Sequence, residues 1–266
     1  MSTIDEKRVY SDRSGAVTVY VASTVGLAAV SVSGDLVGEF GLVARCDARD
    51  VAGADGRLAV ATDETVLERD GERFAETGFG PASAVGFDGD ALLAAGGDGT
   101  VARRCDGDWD PVGTVEGVRA LDGDLLAAES GVYRVGDGLT YAGLDDAFDV
   151  ATAGTPRAAT ADGLYRLGNG WLDELDGAFR AVAADPATAD PGSPGRAHAA
   201  TADSLYEHRD GEWAAVDLPV AEPVVGVAYG PATYAVTDSG TLLANAGDGW
   251  RARSVGLPDA AGLAVR

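Results

Sequence analysis

Four short runs read as variants of one apolar phrase: ARDVAGAD from Ala48, GVRALDG from Gly117, AFDVATAG from Ala147 and AFRAVAAD from Ala178. Three of them carry an arginine at the same place, Arg49, Arg119 and Arg180, and Asp50 and Asp149 stand at the next position. Guanidinium forks match carboxylates and other small anions in geometry. Three of them around one opening would make a small-anion or carboxylate site. The same residues would also serve as ion-pair partners that neutralise crowded carboxylates.

A second set of charges recurs in the turns. Asp63, Asp98, Glu129, Asp162, Asp203 and Asp238 each follow a run of small apolar residues. Aspartate is a favoured turn residue because its side chain bonds the backbone locally, which explains the set without any ligand. If the turns share one face, the same acids form a carboxylate rim suited to a cation or a basic partner.

Other chemistry has little material. His198 and His208 are the two histidines, and no carboxylate constellation accompanies them, so no metal site is expected. A Ser-His-Asp arrangement would need one of these two, and no G-x-S-x-G turn is present. GGDG at 96–99 matches the turns of the other runs and opens no helix, which excludes a phosphate loop. Cys46 and Cys105 both occur as Arg-Cys-Asp, with no CxxC, and are expected to be reduced and partly buried. No cofactor is implied.

The elements that must position these residues are visible as a repeat. The phrase ATADGLYRLGNGW (159–171) returns as ATADSLYEHRDGEW (200–213), and related forms begin at Ala16, Arg57, Ala91, Leu125 and Ala232. The residue closing the first turn is Gly26, Glu64, Gly99, Gly131, Gly163, Ser204 and Gly240, giving steps of 38, 35, 32, 32, 41 and 36 residues. Each step accommodates four short strands with tight turns. Asp-Gly and Asn-Gly pairs supply the positive φ of hairpins. Trp109, Trp171, Trp213 and Trp250 recur where a further strand begins.

The arginine-bearing runs precede the second, fourth and sixth copies, and the copy at Ala16 has no such run before it. AAGLAVR (260–266) at the other end of the chain supplies one. A repeat divided between the termini is what a closed ring requires, since the last strand covers an otherwise exposed edge. The expected fold is therefore all-β: a seven-bladed β-propeller of four-stranded blades, with the C-terminal strand joining the N-terminal blade. It is a single domain over 1–266, with blades near 16–45 plus 260–266, 48–80, 82–115, 117–146, 147–177, 178–219 and 223–258. The sixth copy carries an insertion, DPATADPGSPG (185–195), expected to be an exposed loop, with partner binding as the alternative.

ATADGLYRL is similar to two-component-regulator-type propeller repeats, and the DG-W turns at 106–109, 210–213 and 248–250 resemble degenerate Asp-box hairpins. With the composition described next, the chain resembles a family of haloarchaeal propeller proteins. This resemblance implies a fold and brings no activity. The arginine trio is similar to that of sialidases, yet neither a tyrosine nucleophile nor its glutamate partner can be placed.

Acids outnumber bases 43 to 20, a formal charge of −23, and Lys7 is the single lysine. Such a surface repels phosphate backbones, which excludes nucleic acid as a partner. Evenly spread carboxylates with almost no lysine are expected of a protein from a salt-filled cytoplasm, where screening is short-ranged. The charged start MSTIDEKRVYSD has no signal-peptide pattern. The apolar stretch 16–33 is interrupted by hydroxyls and a glycine, so it reads as two buried strands and not as a membrane span. The functional expectation is a monomeric, cytoplasmic, non-catalytic scaffold with a protein partner. The alternative is an enzyme or anion-binding protein using the channel mouth at Arg49, Arg119 and Arg180.

Overall fold

A computed structural model describes residues 16–266. The described chain consists of seven four-stranded antiparallel sheets arranged as the blades of a ring. We number the blades I to VII in chain order. The innermost strand of blade I is Ala260–Val265, and its next strand is Ala16–Ser23, so the two ends of the described chain close the ring. In blades II to VII the inner strands are Ala48–Ala54, Ala82–Asp88, Val118–Asp122, Ala147–Ala151, Phe179–Ala184 and Val224–Tyr229. The apolar stretch from Ala16 forms the two central strands of blade I, Ala16–Ser23 and Gly26–Ser33.

The residue types account for the layout. Inner strands are rich in Ala, Gly and Val because neighbouring strands approach closely near the axis. At Gly86 an added Cβ would lie 2.6 Å from the Leu121 carbonyl oxygen of blade IV, so a side chain there would separate the blades. Asp55-Gly56, Asp106-Gly107 and Asp210-Gly211 all have positive φ at both residues, the two-residue hairpin geometry that suits strand twist. Among the described residues, seven buried apolar clusters form, one between each neighbouring pair of blades. No blade covers both of its own faces, so the core is a ring of interfaces. The interface that closes the ring packs Val19, Val21 and Val30 of blade I against Tyr234, Val236 and Leu242 of blade VII.

The recurring tryptophans sit at these interfaces. Trp109 Nε1 donates to Thr77 O at 3.0 Å and Trp171 Nε1 to Ala142 O at 2.9 Å, in each case on the preceding blade. The turns are ordered by hydroxyls at the ends of the second strands. Thr62, Thr160 and Thr201 each bond the carbonyl three residues on and accept from the turn's N–H groups. Cys46 is half-buried, while Cys105 is exposed because it opens the Asp106-Gly107 hairpin.

Candidate functional site

All seven inner strands run through the ring in the same sense, and in every blade the pairing register slips at the strand's second residue. A bulge of this kind leaves one residue out of the ladder and re-aims its side chain. The bulged residues are Arg49, Ser83, Arg119, Phe148, Arg180, Val225 and Ala261 in blades II to VII and then I. The arginines noted in the sequence therefore occupy the position that the backbone turns away from its own sheet.

The ring encloses an axial cavity of 610 Å³, and Arg119, Phe148 and Arg180 line it at the end where the inner strands begin. The Arg119 guanidinium lies 4.2 Å from the centroid of the Phe148 ring and that of Arg180 lies 4.9 Å from it. Cation–π contacts of this kind hold guanidinium planes in place without consuming their donors. Arg119 also donates from Nη1 to Asp146 Oδ1 at 2.7 Å and to Ala147 O at 3.1 Å, with Glu129 at 3.6 Å from Nη2. Arg180 is exposed and has no hydrogen-bond or carboxylate partner among the described residues. Arg49 is exposed as well, but it does not line the cavity. The structure thus brings two of the three arginines together and leaves the third apart. Phe148, which joins them, was legible only as the residue at the arginine position in the intervening copy.

Asp50 and Asp149 lie one residue further along, and both oxygens of each are occupied. Asp50 accepts from Val51 N–H at 2.8 Å and from Val85 N–H of blade III at 2.9 Å. Asp149 repeats this with Val150 N–H and Val182 N–H of blade VI, both at 2.9 Å. Each carboxyl therefore staples one blade to the next through otherwise unpaired inner-edge amides. Asp122, not singled out in the sequence, accepts from Thr152 N–H at 2.6 Å and from Thr152 Oγ1 at 2.8 Å across the IV–V boundary. Burial raises all three acids. It pushes Asp50 to about 6 and Asp149 to about 8, the latter also feeling the Asp50 and Asp122 charges.

The six turn acids, Asp63, Asp98, Glu129, Asp162, Asp203 and Asp238, are all exposed. Strand direction puts their turns on the same face as the arginine mouth, and backbone bonds such as Glu129 N–H to Gly117 O tie those turns to the segments leading into the inner strands. Their side chains include local turn partners. Asp98 accepts from Thr100 N–H at 3.0 Å, which holds its carboxyl below the usual range, and Asp63 accepts from Asp47 N–H at 3.3 Å. One face therefore carries guanidinium and aromatic groups at its centre and carboxylates outside them.

The histidines have packing partners. His198 is buried with Nδ1 2.6 Å from Tyr229 Oη, and burial lowers its pKa to about 4. His208 is also buried, with Nδ1 donating to Gly195 O at 2.8 Å. Among the described residues, no three His, Cys, Asp or Glu side chains are gathered as a metal ion would need. The insertion at 185–195 is tied down: Thr155 N–H donates to Ser193 O and Gly192 N–H to Gly154 O, both linking it to blade V.

Seven radial four-stranded sheets closed by a strand from the far end of the chain define a β-propeller. The chain belongs to the HVO_0234-like beta-propeller family, whose model matches residues 3–266. No curated protein matches the sequence. Among solved structures, the chain is similar to YCF48 bound to D1 peptide, with a TM-score of 0.58 and 15% identity over 80% of this chain and 83% of that one. It is also similar to the extracellular domain of the B. thetaiotaomicron one-component system BT4673, with a TM-score of 0.61 and 11% identity over 89% of this chain and 37% of that one. The computationally designed Ika8 protein aligns at a TM-score of 0.58 and 14% identity over 93% of this chain and 90% of that one. At these identities the likeness is one of fold.

Proposed function

We propose that this propeller is a non-catalytic protein-interaction scaffold of a salt-filled cytoplasm, acting as a monomer and seating its partner on the face where the inner strands begin. The observation that carries the reading is the Arg119–Phe148–Arg180 cluster at the mouth of the axial cavity. Arginine and aromatic side chains dominate binding hot spots. In a chain with net charge −23, a guanidinium left without a carboxylate at a cavity mouth is available to a carboxylate from outside. The surrounding turn acids would favour a partner whose flanking residues are basic. That YCF48, a propeller of similar fold, was solved with a peptide bound supports the mode without identifying the partner.

The test is cross-linking and affinity capture from high-salt lysate of a native host, comparing the wild type with R119A/R180A. A partner retained by the wild type and lost from the double variant is expected. Repeated recovery of the protein alone, or equal retention by both, would overturn the reading. A second reading rests on the same unpaired Arg180: a small carboxylate ligand at the mouth. It predicts a rise in Tm with added small carboxylates at fixed ionic strength that R180A abolishes.

A further inference from the structure

We propose a halide-binding site at the interface between blades V and VI, behind the 185–195 insertion, with Arg157 and Trp213 as its buried donors. Trp109 and Trp171 each donate Nε1 to a carbonyl of the preceding blade. Trp213 holds the same place in blade VI, but its Nε1 is buried with no acceptor among the described residues. The residue packed against it is Arg157, whose guanidinium carbon lies 5.5 Å from the Trp213 ring centroid. Arg157 is 0% exposed. It donates from Nε to Glu174 Oε2 at 2.8 Å and from Nη2 to Pro194 O at 3.0 Å, while Nη1 is buried and has no acceptor among the described residues.

Two buried donors at one interface cannot satisfy each other. Leaving either unpaired is costly, and a buried polar atom without a partner calls for a bound species. In the proposed site a single species accepts from both. Guanidinium groups gather here: Arg157 and Arg166 share Glu174, at 2.8 and 3.9 Å, and Arg196 and Arg209 share one oxygen of Glu207, at 2.7 and 2.8 Å. With buried Asp185 beside Arg196 and exposed Asp210 at the rim, bases match acids at this place although acids predominate over the whole chain, so an anion meets less repulsion here than elsewhere. A cleft of 490 Å³ walled by Pro194, Gly195, Arg196, His208, Arg209 and Asp210 lies next to the residues that hold these donors, Pro194 O accepting from Arg157 and His208 packing on Trp213. His208 stands 5.2 Å from the Trp213 ring and is fixed by its bond to Gly195 O, so the indole, the imidazole and the insertion form one packed wall. Weakly hydrated donors such as guanidinium and indole suit a small monovalent anion, and chloride abounds in the saline cytoplasm that the composition implies.

Bromide is the probe. Crystals of the full chain equilibrated in bromide should show an anomalous peak within hydrogen-bonding reach of Arg157 Nη1 and Trp213 Nε1. W213F removes one donor and keeps the packing, and it should weaken bromide binding about tenfold, the loss expected for one such bond. In solution, bromide should quench wild-type tryptophan fluorescence with a saturable component that R157M/E174M, which removes the buried ion pair as a unit, does not show. Water in place of the anomalous peak, unchanged bromide affinity in W213F, or strictly linear quenching equal in both proteins would each overturn the site.

Discussion

Replacing Asp149 by alanine should change sign in its effect on stability across an ordinary pH range. The side chain bridges Val150 N–H and Val182 N–H, so D149A loses two hydrogen bonds between blades V and VI. At about 1 kcal/mol each, the variant is less stable by about 2 kcal/mol where the carboxyl is protonated in folded and unfolded chains alike, below about pH 3. Burial raises the folded group to about 8. A carboxyl raised in this way keeps its proton in the folded protein at pH values where the unfolded chain has lost it. Its contribution is therefore full below the unfolded value and is lost as pH rises towards about 8, at up to about 1.4 kcal/mol per pH unit. The cost of D149A should vanish between about pH 5 and 6, and at pH 7 the alanine variant should be the more stable protein. Chemical denaturation of both proteins at pH 4, 5, 6, 7 and 8, at one fixed high salt concentration, measures this directly. A difference that is constant with pH, or one that grows as pH rises, would refute the account of Asp149 as a half-buried, proton-holding staple.

Three further outcomes follow from the packing. R157M should destabilise by about 3–5 kcal/mol because it leaves Glu174 buried with only the longer Arg166 contact, whereas R157M/E174M should recover most of that loss; urea denaturation of the two variants decides it, and equal losses would refute the buried-pair reasoning. Deleting residues 260–266 removes the inner strand of blade I and opens the closing interface with blade VII, so circular dichroism and size-exclusion chromatography should show loss of the cooperative fold and not a slightly shortened ring. Lowering salt from molar to tens of millimolar should lower Tm, because a net charge of −23 repels itself over a longer Debye length; a Tm independent of salt would contradict the saline reading of the composition.

The sequence alone determined the repeat and its closure. Seven copies with the same turn chemistry, and a spare inner-strand phrase at the far end of the chain, dictate a ring because no blade can bury both of its faces alone. It also marked the inner-strand position where Arg49, Arg119 and Arg180 recur, since a repeat makes equivalent places visible by alignment. What it could not show is which of those places meet. Arg119 and Arg180 converge because Phe148 stands between them, and Arg49 does not line the cavity. Asp50 and Asp149 read as ligand groups until the bulges aimed them at the amides of the next blade. The insertion at 185–195 read as an exposed loop, and most of it is exposed, but only the structure shows that buried Arg157 and the turn of blade V hold it. These were decided by tertiary structure for one physical reason. Local propensity and periodicity act within a blade, whereas the partners of these side chains lie on the neighbouring blade, some thirty residues away in sequence and adjacent only once the ring has closed.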